Sequence, residues 1–419
     1  MRTYRKMRFD AAHYLKEKAK LSNPIKQVSG GFIFFAVAVF IFWPVHSAKA
    51  ENNEADREAK QRLKQIEEIE EKEEEEERVG ALNPIIKEIF GEKVRLNGGV
   101  EFNYEYLDVE DIGDENSGSS SDFFISTAEL AIRVFLNEWS KTKIVVTAED
   151  VGQQGEDGKI RLDEAIATLK SLQVPIYFIG GKTVMPFGVF EDHLVEGTLA
   201  EDLYEIDEWG ATLGYNPDFY GLDISFSVYR NPQVIENLQN FDTHEWGPDR
   251  QKEDKFKSYI ANITLEPIED TLILSAYYDS EPGDGRRNQT IGGAFTVNYW
   301  KFTLDAEYIT ALAREKGENE EENKESAGVV GLAFEPLESL QLATRYAVFS
   351  DDNPGDQDEV LDYRIVAGFN YSLLQLVDVS FLTDATIFFE YRYSKYEKET
   401  GSEATNSQNM FQFQLVLGF

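Results

Sequence analysis

The residues of this chain able to do chemistry are charges set into short alternating segments. Arg133, Arg161, Lys182, Arg345, Arg364 and Arg392 each fall on the polar parity of a different segment. Glu101, Glu105, Glu129, Asp305, Glu307 and Glu390 recur on the same parity elsewhere. Such charges cannot fill a dry core, because burying them unpaired costs too much. They suit a wet interior, where facing rows of opposite charge make a transverse field that sorts solutes. Internal ion pairs that only stiffen a wall are the alternative use of the same residues. Hydrolytic chemistry has little to work with. Beyond the first fifty residues the only histidines are His193 and His244, and neither Gly-x-Ser-x-Gly nor His-Glu-x-x-His occurs. An enzyme is not expected. The run from Asp351 to Glu359 lacks the ordered ligand spacing of an EF-hand loop, so it reads as a solvated acidic loop. No metal site and no cofactor are expected.

The most distinctive segment runs Gly180-Gly181-Lys182-Thr183-Val184-Met185-Pro186-Phe187-Gly188-Val189-Phe190-Glu191-Asp192-His193. It continues through Leu194, Val195 and Leu199, too apolar for a loop standing in water. Pro186 fixes its own φ and Gly188 permits a sharp change of direction. Residues 185–204 are therefore expected to fold inward and set the narrowest point of a channel. The expected constriction comprises Lys182, Pro186, Phe187, Gly188, Phe190, Glu191 and Asp192, facing Arg133, Arg345 and Arg392 across the pore. A tight turn opening an ordinary outside loop is the plainer reading of Pro186-Phe187-Gly188. The acid excess predicts a mild cation preference.

The pattern Gly181-Lys182-x-x-x-Pro186-Phe187-Gly188-x-Phe190-Glu191 resembles the legiobactin-receptor-type siderophore porin family of outer-membrane β-barrels. Residues 197–203 depart from the Asp-Pro-Leu-Thr-Leu-Glu-type run of that family. The resemblance covers most of the chain and implies a channel for a ferric siderophore or another small solute. It also implies the habit of sixteen-stranded porins of narrowing the channel with the third loop.

Elements that position these residues follow from periodicity. From Val94 onward the hydrophobic period is two. Sixteen strands are expected, roughly 94–107, 122–137, 140–149, 159–170, 174–184, 207–216, 221–230, 256–266, 271–279, 289–299, 301–312, 326–335, 339–349, 359–372, 384–395 and 408–419. Their connections alternate between short turns and longer acidic loops, the rhythm of short periplasmic turns and long outside loops. The stretch 372–383 departs from it, being long and apolar where a short turn is due. In the last strand Phe411, Phe413, Leu415, Leu417 and Phe419 share one face, opposite Gln412 and Gln414. A terminal aromatic on an alternating strand resembles the signal read by the barrel-assembly machinery. The expected fold is an all-β, antiparallel outer-membrane barrel of about sixteen strands, residues 94–419.

The N-terminal fifty residues read as a signal peptide. A basic stretch precedes the apolar run 32–43, and Ala48-Lys49-Ala50 offers a small-x-small cleavage site. Residues 51–93 read as a charged periplasmic helix and connector; the helix is open between a short coiled coil and a solvated rod. Cysteine is absent, which excludes disulfides and thiolate chemistry. Formal net charge is −36; without the leader's nine basic and two acidic residues it becomes −43. Nucleic acid is excluded as a partner by that field. Expected partners are a small-molecule solute, outer-membrane lipid and lipopolysaccharide, the assembly machinery and a second copy in a homo-oligomer. The expected place is the bacterial outer membrane. A structural or adhesive barrel tethering the envelope without transport is the rival function.

Overall fold

The computed structural model describes residues 91–111, 118–154, 158–171, 173–190, 193–217, 219–240, 256–316, 324–351, 359–374, 382–398 and 406–419. The leader, the charged helix and most of the connector lie outside the described residues, as does 375–381 of the long apolar stretch. After a turn of 3-10 helix at Gly91–Lys93 come β1 (Val94–Asp111), β2 (Gly118–Asn137), β3 (Ser140–Val151) and β4 (Lys159–Lys170). Next are β5 (Ile176–Val184), β6 (Asp207–Tyr215), β7 (Asp223–Arg230) and β8 (Phe256–Ile268). Then follow β9 (Leu272–Glu281), β10 (Asn288–Tyr299), β11 (Phe302–Ala313) and β12 (Glu325–Leu337). The set ends with β13 (Leu340–Asp351), β14 (Glu359–Ser372), β15 (Asp384–Lys398) and β16 (Asn406–Gly418). Each pairs antiparallel with its sequence neighbours, and β1 pairs with β16 to close the barrel.

Closure satisfies every sheet edge, which a strand-built wall in lipid requires. The last residue takes part. Phe419 N donates to Gly98 O at 2.8 Å, and Gly98 N donates to Phe419 O at 3.0 Å. A Cβ on Gly98 would lie 2.7 Å from the Phe419 ring, so glycine makes room for the terminal aromatic.

All sixteen expected strands are present, with boundary shifts that have local causes. β5 starts at Ile176 rather than 174, directly after Pro175, which has no N–H for the ladder. β7 starts at Asp223 rather than 221, because Tyr220 and Gly221 turn the chain with φ of 51° and 55°. Alternation sorts the two faces. In β13, Leu342, Tyr346 and Val348 are exposed on the outside, while Ala343, Arg345, Ala347 and Phe349 are buried on the inside. Trp139, Tyr215, Tyr299 and Trp300 stand exposed at the short-turn end, where amphipathic rings suit a membrane interface. Among the described residues no helix is long and apolar enough to cross a membrane.

The interior is not uniformly wet. Two short helices, α1 (Leu199–Tyr204) and α2 (Gln233–Asn240), pack inside the barrel. Leu199, Leu203, Ile235 and Leu238 join Met185 and Phe187 in an apolar core against the inner faces of β7 to β13. Full burial of each such side chain contributes about 1.5–3 kcal/mol. Thr198 caps α1 in a capping box with Glu201. The N-terminus of α2 is held by the wall itself, as Glu281 accepts from Val234 N at 2.8 Å and Ile235 N at 3.2 Å.

Candidate functional site: the fastened third loop

The segment from Met185 to Ile206 leaves β5, crosses the lumen and returns to β6. Its departure depends on Gly188, whose φ is +86° and whose Cβ would lie 2.1 Å from the Phe190 ring. Phe190 also has a positive φ, 50°. Phe187 is buried edge-on to Tyr277, with ring centroids 5.0 Å apart. Once inside, the loop is held by charged wall residues. Glu307 accepts from Val189 N at 2.9 Å and Phe190 N at 3.3 Å, and from the Tyr277 hydroxyl. Glu390 accepts from Val195 N at 2.9 Å and Glu196 N at 3.2 Å. With Glu281 of β9, which holds the start of α2, three wall glutamates each grip two consecutive backbone amides. A carboxylate suits that task because its two oxygens accept several charge-assisted bonds at once.

Basic wall residues hold the carbonyls and acids of the same loop. Arg345 donates to Glu196 O at 2.8 Å and Gly197 O at 2.9 Å. Arg392 pairs with the Glu196 carboxylate, and Arg364 with Asp202 at 3.1 Å. His193 Nε2 meets Asp305 Oδ2 at 3.0 Å. Behind α1, Tyr204 donates to Glu325, which is paired with the fully buried Arg314. Burial holds the Tyr204 hydroxyl well above the ordinary phenol range, so it stays a donor. Burial first, then nearby Asp207, raises Glu205 above the usual carboxylate range.

The residues singled out from sequence divide accordingly. Arg345 and Arg392 meet the loop, and Phe187, Gly188 and Phe190 shape it. Pro186 stands half-buried at its start. Glu191 and Asp192 lie outside the described residues. Arg133 faces inward in register with Arg95 and Lys143 near the short-turn end. Lys182 is a correction. It pairs in register with Trp209 and shares the outer face of Ile176, Phe178 and Val184, all exposed. There it ion-pairs with Asp207 and donates to Asp163 O at 2.8 Å. Counting alternation forward from the exposed Ile176 puts Lys182 outside, against the inward parity expected of it.

The wet-interior expectation is corrected in part, because the wall from β7 to β13 is covered by the apolar core. Sequence reasoning also missed both helices and the His193–Asp305 contact. Thr198-x-x-Glu201 was the available sign of α1, and Asn231-Pro232 before Val234, Ile235 and Leu238 the sign of α2. Glu129 and Arg161 stand exposed on the inner wall of β2 and β4, and Arg161 is ion-paired with Glu149 at 2.6 Å and Asp163 at 3.2 Å.

No protein-family model matches the chain, and no curated protein does. Solved structures do. The anion-selective porin from Comamonas acidovorans matches with a TM-score of 0.56 and 12% identity, covering 78% of this chain and 99% of that one. The outer membrane channel DcaP of Acinetobacter baumannii gives 0.55 and 13%, covering 78% and 97%. The fold is that of an outer-membrane porin. OprB of Pseudomonas putida adds a TM-score of 0.52 at 10% identity, covering 81% of this chain and 96% of that one. Identity this low carries the fold and not the solute. A closed porin barrel with an apolar outer face belongs in the bacterial outer membrane. The comparisons lend nothing to the siderophore-porin resemblance.

Proposed function

We propose that this porin barrel is a diffusion channel for a small solute, with the third loop as its constriction. The observation that carries the reading is the fastening of residues 189–202 to Glu307, Asp305, Arg345, Arg364, Glu390 and Arg392 across the lumen. Those arginines are engaged by the loop. Glu101, Glu105 and Glu129 line the opposite wall, which favours mild cation preference. A ferric siderophore is the specific solute suggested by the 181–191 pattern; Lys182, on the outer face, plays no part in that passage.

Planar-bilayer recording tests the proposal. Stable single-channel steps are expected, and removing residues 190–197, which spares the Thr198 cap, should raise conductance and weaken selectivity. Unchanged conductance in an assembled barrel would place the constriction elsewhere. Liposome swelling with sugars, amino acids, anions and ferric siderophores assigns the solute class; no swelling with the siderophores removes that specific reading. The apolar core inside β7 to β13 favours one rival, a closed scaffold barrel, and the absence of any conductance would select it.

A further inference from the structure

The outer face at the long-loop end carries a basic cluster on an aromatic platform. Phe226 and Tyr259 stack with centroids 6.1 Å apart, and Tyr259 meets Tyr278 at 6.3 Å. All three share the parity of the exposed Ile224, Val228 and Ile263, which is the lipid-facing side. Above them lie three basic residues at the ends of neighbouring strands. Arg230 closes β7 on the same parity. Lys257 sits, exposed, at an irregularity of register in β8 where Phe256 opposes Arg230. Arg287 lies over the Tyr259 ring, its guanidinium carbon 4.7 Å from the centroid. Its guanidinium is fixed by Ser280 Oγ at 2.7 Å, Ser280 O at 2.5 Å and Lys257 O at 2.8 Å.

We propose that this cluster is a binding site for the phosphorylated headgroup of an outer-leaflet glycolipid. The aromatic rings mark the boundary between acyl chains and headgroups. Arginine and lysine just above that boundary meet phosphate oxygens, arginine with a fork that matches them. A chain of net charge −36 repels phosphates as a whole, so adhesion to them needs a local basic site. A second outer platform, Tyr346–Tyr363–Tyr393, serves as the comparison within the same barrel, with one lysine, Lys395 over Tyr363, where the first gathers three basic residues.

The site rests on the long-loop end facing outward, but not on any conductance, so its failure leaves the channel reading untouched. Native mass spectrometry of the full-length protein in detergent tests it, with bisphosphorylated lipid A, its dephosphorylated form, and inorganic pyrophosphate as competitor. The bisphosphorylated form should bind about tenfold more tightly than the dephosphorylated one. The triple variant Arg230→Gln/Lys257→Gln/Arg287→Gln should lose that preference, and Lys395→Gln should keep it. Equal affinity in wild type and triple variant overturns the site. So does equal binding of the two glycolipid forms, or full displacement by equimolar pyrophosphate, which marks a free-anion site instead. If the triple variant does not assemble, Lys257→Gln alone should weaken binding about threefold, and unchanged affinity then overturns the proposal.

Discussion

Gly188 is the residue on which the third loop turns. A side chain there must adopt a positive φ, costing about 1–2 kcal/mol, and would also collide with the Phe190 ring. Gly188→Val should therefore leave the barrel assembled and the loop loosened, seen as larger open-channel current fluctuations in planar bilayers. Arg314 is a different case. It is fully buried, donates to Glu325 Oε2 at 3.1 Å and to Thr290 Oγ1 at 3.0 Å, and so holds a carboxylate away from water. Arg314→Ala strands that charge, at a cost of about 3–5 kcal/mol. The temperature at which the folded band disappears in heat-modifiability gels should fall, whereas Glu325→Gln/Arg314→Met should recover much of the loss.

At the scale of elements, α1 depends on packing more than on its own backbone bonds. A six-residue helix has little intrinsic stability. Its Thr198 cap contributes about 1 kcal/mol, and Leu203, buried in the interior core, about 2–5 kcal/mol on truncation to Ala. Proteinase K should cut the loop of Leu203→Ala much faster than wild type and that of Thr198→Ala only slightly faster. The reverse ranking would mean that capping, not the core, keeps the loop inside. α2 follows the same logic with its cap supplied by Glu281 of β9, so Glu281→Ala should free α2 while β9 stays paired.

For the whole molecule, closure and orientation are the testable properties. Phe419 completes two backbone bonds to Gly98 and packs its ring over it. Its deletion removes at most about 1.5–3 kcal/mol of burial from a large closed sheet. Outer-membrane levels should nevertheless drop, through loss of the terminal assembly signal; normal levels and normal heat-modifiability would contradict this. Cysteines placed at residues 318–322 should label on intact cells, and a cysteine at Pro267 should not. Labelling at Pro267 alone would invert the barrel and with it the glycolipid site.

The sequence by itself determined the strands, their number and their two faces. Period-two alternation is a local property, and the pairing of consecutive strands needs no long-range information beyond it. Phe302, Leu304 and Tyr308 outward, with Asp305 and Glu307 inward, were legible because each strand carries its own record of which side meets lipid. Only the tertiary structure decided what fills the barrel. Whether Glu307 and Glu390 face water or grip amides depends on where a loop more than a hundred residues earlier in the chain comes to rest. The apolar content of residues 185–204 announced burial but not the wall it would be buried against. Lys182 was legible too: its charge suggested the lumen, but the alternation it shares with Ile176, Phe178 and Val184 puts it on the outer face. Loop contacts join residues distant in sequence, and no local pattern encodes such distances.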